Sequence, residues 1–207
     1  MKDETKFTDV AWRIFNEVIA FYHEKDDVEQ SDSNPYKEGS LERLLYAKNW
    51  IDTVQWHLED LIRDEDIDPV KALDLKRRID TSNQQRTDLV EFIDSYFLEK
   101  YQHIIPENNA RINTETPAWA VDRYSILALK IYHMSQEATR ESASKEHREA
   151  CQKKLDVLSA QKEDLTIAID ELLSDIKNGQ VKIRVYKQMK MYNEASLNPV
   201  LYRKESK

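Results

Sequence analysis

The chain has 207 residues and a net charge of −8, with 34 % charged and 9 % aromatic residues but only two glycines. Rossmann-type, P-loop and barrel enzymes need glycine at tight turns, so that scarcity argues against them, and the aromatic content argues against disorder. One cysteine, Cys151, excludes an internal disulfide and a cysteine-based zinc cluster.

The charge is uneven. From Lys177 onward eight basic residues stand against Glu194 and Glu205, so this end carries +6 and, with −8 overall, the preceding residues carry −14. Such asymmetry reads either as a basic arm or as a tail folded onto acidic helices. We take the second reading, and the overall acidity argues against nucleic-acid binding. MKDETKFTDVAWRIF lacks an apolar signal core, and no apolar run approaches the roughly 20 residues that span a bilayer. The expectation is a cytoplasmic protein without membrane insertion.

Along the chain, Phe7 to His23 predicts a first helix with Val10, Ile14, Phe15, Val18, Ile19 and Tyr22 on one face. A turn-rich connector follows. Ser40 then caps a second helix to about Arg63. On it Asn49, Asp52, Trp56, Asp60 and Arg63 project within about 80° of each other, a polar row built around a tryptophan. His57 and Glu59 lie beside it. The row reads equally as a solvated face or as one wall of a site.

Asp68-Pro69 opens a third helix to about His103. Its DTSNQQRTD midsection (80–88) has no apolar residue, and Asp80, Asn83, Thr87, Glu91 and Asp94 repeat the spacing of the first row. A helix polar on all sides is exposed or lines a wet cavity, and the matching rows favour a shared cleft.

Thr116-Pro117 starts a fourth helix, apolar nearly all round yet carrying Asp122, Arg123, Lys130 and His133. Charges on such a helix must be paired or put to use. Arg123 and Lys130, about 10 Å apart on one side, could grip an anion or pair with acids of the neighbouring helices. Residues 151, 155, 158, 162, 165, 169, 172 and 176 then form a heptad seam, apolar at all but Lys162. Its partner is either the fourth helix folded back or the same helix of a second copy, and Cys151 on it reads as packing. Asn178-Gly179 ends the helix. VKIRVY alternates like a strand, but an isolated strand has no partner, so a further helix to about Tyr192 is expected.

No P-loop, dinucleotide fingerprint, His-Glu-x-x-His, Gly-x-Ser-x-Gly or paired Glu-x-x-His motif is present, so no metal or cofactor is assigned. Glu59-Asp60-Leu-Ile-Arg63 and Glu91-Phe-Ile-Asp94 loosely resemble the magnesium-binding elements of all-helical nucleotide pyrophosphohydrolases, although Arg63 replaces the third acid. A fuller resemblance rests on NWIDTVQWHLEDLIR (49–63), TETPAWAVDRYSILALKIYHM (114–134) and YKQMKMYNEASLNP (186–199). Together these blocks resemble a bacterial all-helical family of unknown function. The resemblance implies a cytoplasmic bacterial protein, often encoded beside glycosyltransferases of surface-polysaccharide synthesis, with no established activity.

The sequence thus predicts an all-α, elongated bundle of five or six helices forming a single domain over 1–207. Its coiled-coil-like spine is about 145–177, and the basic segment 178–207 packs on the bundle. The functional expectation is an anionic or sugar-phosphate ligand in a polar cleft between the second, third and fourth helices, closed by the tail. Arg123, Lys130 and Lys190 would contact the anion; Asn49, Trp56 and Asn193 would position it; Arg63, His133 and Tyr192 complete the lining. His57, Asp60 and Asp122 are the groups for proton transfer if there is chemistry. The competing expectation is a non-enzymatic interaction protein whose heptad helix recruits a partner or forms a homodimer.

Overall fold

The computed structural model describes residues 6–187 and contains five helices: α1 (Phe7–Tyr22), α2 (Leu41–Leu61), α3 (Pro69–Tyr101), α4 (Pro117–Thr139) and α5 (Lys145–Lys177). The protein is an all-α bundle. Local chemistry fixes most helix starts. Ser40, Thr116 and Ser144 each accept a hydrogen bond from a backbone amide three residues on, and Asp68 accepts from Val70 and Lys71. Pro69 and Pro117 occupy first-turn positions where a missing N–H costs nothing.

The elements form two hairpins, α2 with α3 and α4 with α5, and α1 packs against α2, α4 and α5. The main core gathers Ile14, Phe15, Val18 and Tyr22 of α1, Leu45 and Tyr46 of α2, and Val90, Ile93 and Phe97 of α3. Val121, Tyr124 and Leu129 of α4 and Ile169, Leu172 and Ile176 of α5 complete it. Leu58, Leu75 and Ile79 make a smaller cluster near the α2–α3 turn. The heptad seam of α5 lies against α4, so its buried positions are covered within the chain. Side chains join the helices too: Tyr124 Oη is 2.8 Å from Thr166 Oγ1, and Thr8 Oγ1 donates to Asp170 at 2.9 Å.

The described part of the tail departs from the expected helix. Residues 182–187 are not helical, and Val181 forms an isolated parallel bridge with Arg111. The Arg111 amide donates to Gln180 O at 3.0 Å and the Lys182 amide to Arg111 O at 2.9 Å. The partner that the VKIRVY alternation lacked is the α3–α4 loop. The turn leading there needs Gly179, whose φ of 76° is left-handed. A Cβ at that position would stand 3.0 Å from Ile105 O.

Candidate functional site

The α2–α3 hairpin sets the register of the polar rows. Gln55 donates to Asn83 at 2.8 Å and accepts from Ser82 at 2.9 Å, and three residues earlier Asp52 accepts from Arg86 Nε at 2.6 Å. The face of α3 turned to α2 therefore includes Ser82 and Arg86 as well as Asn83. Asp80, from the expected row, pairs instead with exposed Lys76.

At the centre of the bundle these helices enclose a charge network. Lys48 has a side chain with no exposed surface; it pairs with Asp52 and lies 2.8 Å from Asp122 Oδ1. Arg86 spans the same two acids, with Nη2 3.2 Å from Asp122. Ser125 Oγ donates to Asp52 at 2.6 Å, and Asn49 Nδ2 donates to Ser125 Oγ at 2.9 Å. Two cations facing two carboxylates leave the cluster neutral, which offsets a desolvation cost of several kcal/mol per ion. Burial works against the charged form of Arg86, but Asp52 and Asp122 outweigh it and hold its pKa above the ordinary value. Asn49 Oδ1 is buried without a partner among the described residues.

Beside this network opens a cleft of about 220 Å³ lined from α2, α3 and α4 by Asp52, Gln55, Trp56, Glu59, Asp60, Arg63, Arg86 and Ile126. It occupies the place expected for a polar cleft, but its charges are already matched. Arg63 pairs with Asp60 at 3.1 Å and Glu59 at 3.7 Å, and Arg86 is held by the network. Outside this cleft, exposed Arg123 pairs with Glu115 at 2.9 Å. Asp122 is committed to Lys48 and Arg86, and His133 lies eleven residues further along α4, about 16 Å by helical rise. Of the suggested acid–base groups, Asp60 pairs with Arg63, Asp122 with Lys48 and Arg86, and His57 lies against His23 and Tyr22. The pyrophosphohydrolase-like acids stand apart from one another. The 52–86 pairing puts Glu59 and Asp60 near the α2–α3 turn, whereas Asp94 accepts from Thr116 at 3.0 Å toward the far end of α3.

Lys130 borders a different and larger hollow of about 730 Å³, between α4 and α5 and reaching Trp56 of α2. Its walls are Trp56, His133, Met134, Val157 and Leu158, and its other lining residues are Lys130, Lys153, Lys154 and Glu137. The three lysines pair with no acid among the described residues, whereas Glu137 is occupied by Arg140 and His147, each at 2.8 Å. Cys151 Sγ lies 3.3 Å from His147 Nε2, the same nitrogen that meets Glu137. One nitrogen shared between thiol and carboxylate makes no proton relay, and Cys151 is buried as packing.

Trp56 stacks on His133 with ring centroids 4.9 Å apart and planes at 6°. Behind that stack lie two more imidazoles. His57 stacks on Tyr22 at 4.8 Å, and His23, just past the end of α1, packs on Tyr132 at 4.3 Å. His57 Nε2 is 3.3 Å from His23 Nε2, and His133 Nε2 is buried with no partner among the described residues. Burial, then the neighbouring His23 and His57, pushes the His133 pKa down from 6.5 to about 4; burial also lowers that of His57. His133 is therefore uncharged at neutral pH.

Of the residues in these clusters, sequence reasoning singled out Asn49, Asp52, Trp56, His57, Asp122, Lys130 and His133 but not Lys48, Arg86 or His23. Lys48 carried a local signal, its i,i+4 spacing to Asp52. Arg86 stood inside the polar midsection of α3, which had to face something. His23 carried none, because it meets His57 and His133 only through the tertiary fold. Lys190, Tyr192 and Asn193 lie outside the described residues.

A protein-family model described as "Protein of unknown function (DUF4254)" matches residues 42–185, more than half of the chain, from the second residue of α2 to beyond the end of α5. Searches of curated proteins and of solved structures gave no match.

Proposed function

Because the chain belongs to the DUF4254 family of unknown function, we propose its role from the hollow between α4 and α5: it binds a phosphorylated ligand with a flat or apolar body, such as a sugar nucleotide. The observation that carries this reading is the combination of three lysines without acid partners among the described residues and a floor of Trp56, Met134, Val157 and Leu158. Lysine ammoniums hold phosphate as point charges while their stems extend apolar wall. The edge of an indole or the flank of a methionine accepts a base or another apolar surface. The cleft of the sequence expectation supports an anion less well, because Arg63 and Arg86 are already neutralised there. This reading uses Lys130, Trp56 and His133 and leaves out Arg123, which pairs with Glu115 and lines a separate hollow of about 230 Å³ with Lys130.

The resemblance carried by the three sequence blocks supports placing this ligand in bacterial surface-glycan assembly, in the cytoplasm, with the chain acting as one domain. A partner along α5 has less in its favour, because the seam that would recruit it is packed on α4.

Calorimetric titration and thermal shift with nucleotide sugars, nucleoside diphosphates and inorganic phosphate test the proposal. One class is expected to raise the melting temperature, with affinity reduced at least about tenfold in Lys130→Ala and Lys154→Ala and unchanged in Arg123→Ala. Removing one charged contact to phosphate corresponds to about 1.4 kcal/mol or more. No stabilisation by any of these ligands, or equal binding by the lysine variants, would remove the proposal.

A further inference from the structure

We propose that His23, His57 and His133 form a binding site for a late first-row divalent metal ion, with Zn²⁺ the first choice. One ring nitrogen from each lies within 4.8 Å of the others. The His23–His57 separation of 3.3 Å matches the spacing of two nitrogens on one tetrahedral zinc, since bonds of about 2.0–2.1 Å at the tetrahedral angle put them about 3.3–3.4 Å apart.

The surroundings fit a ligand set better than ordinary packing. His23 Nδ1 is 2.7 Å from Ile19 O, which only an N–H at Nδ1 can satisfy. That contact fixes the tautomer and leaves Nε2 with its lone pair facing the cluster, the outer-sphere arrangement that metal-bound histidines use. His133 Nε2 is buried with no partner among the described residues, and such an unsatisfied group costs about 1–3 kcal/mol. A cation shared by the three nitrogens would satisfy it. With the ion bound, His57 would carry its proton on Nδ1, freeing Nε2 for the metal.

The rings are also held in place. Trp56 covers His133, Tyr22 covers His57 and Tyr132 covers His23, so the rings are held near one another, and a nitrogen separation of up to 4.8 Å closes toward about 3.3 Å when the ion binds. Three neutral nitrogens with no thiolate favour zinc, copper, nickel or iron over magnesium or calcium. Asp26, in the turn after α1, is the carboxylate beside the group, with Oδ1 3.8 Å from His57 Nε2. No sequence motif announces the site, because its ligands come from the end of α1, the last turns of α2 and the second half of α4.

Only His133 is shared with the lysine-lined hollow, so the site does not rest on the ligand proposed there. The test uses the full chain stripped with a chelator and then titrated with Zn²⁺, Co²⁺ and Mg²⁺. One Zn²⁺ per chain is expected, with visible Co²⁺ bands of low coordination number and no Mg²⁺ uptake. His23→Asn and His57→Gln, neither of which lines the hollow, should each weaken Zn²⁺ by at least about 100-fold, the upper end of what losing even an outer-sphere partner costs. X-ray absorption on the zinc-loaded wild type counts imidazoles without any substitution. Three imidazoles support the site. Fewer than three, substoichiometric Zn²⁺, or full affinity in folded His23→Asn and His57→Gln would overturn it.

Discussion

Lys48 is the residue on which the interior of the bundle most depends. Its ammonium has no exposed surface, and its two acid partners, Asp52 and Asp122, come from different helices. Lys48→Met keeps the bulk of the side chain but leaves both carboxylates to Arg86. Breaking a buried pair from one side costs about 3–5 kcal/mol, and that is the loss expected in urea denaturation. Arg123→Ala provides the contrast. Its bond to Glu115 lies at the surface, so less than about 1 kcal/mol is expected from the same measurement. A penalty for Lys48→Met as small as that for Arg123→Ala would show that the network contributes no net stability.

At the scale of the element, what was legible in the sequence was what is local. Ser40, Asp68 and Thr116 act as caps because a cap needs only its own next three residues, and the heptad of α5 marks the face that α4 covers. Interhelix register was less legible. A polar row on α3 at 80, 83, 87, 91 and 94 was compatible with the spacing, yet Ser82 and Arg86 also face α2, because the length of the α2–α3 turn decides which residues meet. The extended run after Val181 was illegible for the same reason, since its partner is a loop 70 residues earlier. Gly179 is the hinge of that pairing. Gly179→Ala combines a left-handed φ with a Cβ 3.0 Å from Ile105 O. Gly39→Ala has a similar φ of 77° and nothing within 4 Å. Both substitutions carry the backbone cost of about 1–2 kcal/mol, and thermal denaturation should show Gly179→Ala as clearly the worse.

Over the whole molecule, burial is distributed unequally along the α4–α5 hairpin. The buried residues of α5 are Ile169, Leu172, Leu173 and Ile176 near its end, with Cys151 standing apart near its start, and Val157 is 68 % exposed. Local opening free energy follows buried apolar contact. Hydrogen exchange should therefore be faster in 145–160 than in 165–177, with the segment around Ile169 to Ile176 exchanging close to the global unfolding limit. Uniform protection along α5 would show that the hairpin is fastened by something other than its apolar seam. The lysine-lined hollow lies against the less buried half, where a ligand bridging α4 and α5 would add protection to 153–158.

The stack of Trp56 on His133 has a consequence beyond packing. The indole borders both the α2 cleft and the hollow, while the imidazole beneath it contributes to the histidine cluster. A side chain common to two sites makes them a single thermodynamic system. Any occupant of the hollow that shifts the stack changes the affinity of the histidines for a cation by some factor, and reciprocity requires the cation to change the occupant's affinity by the same factor.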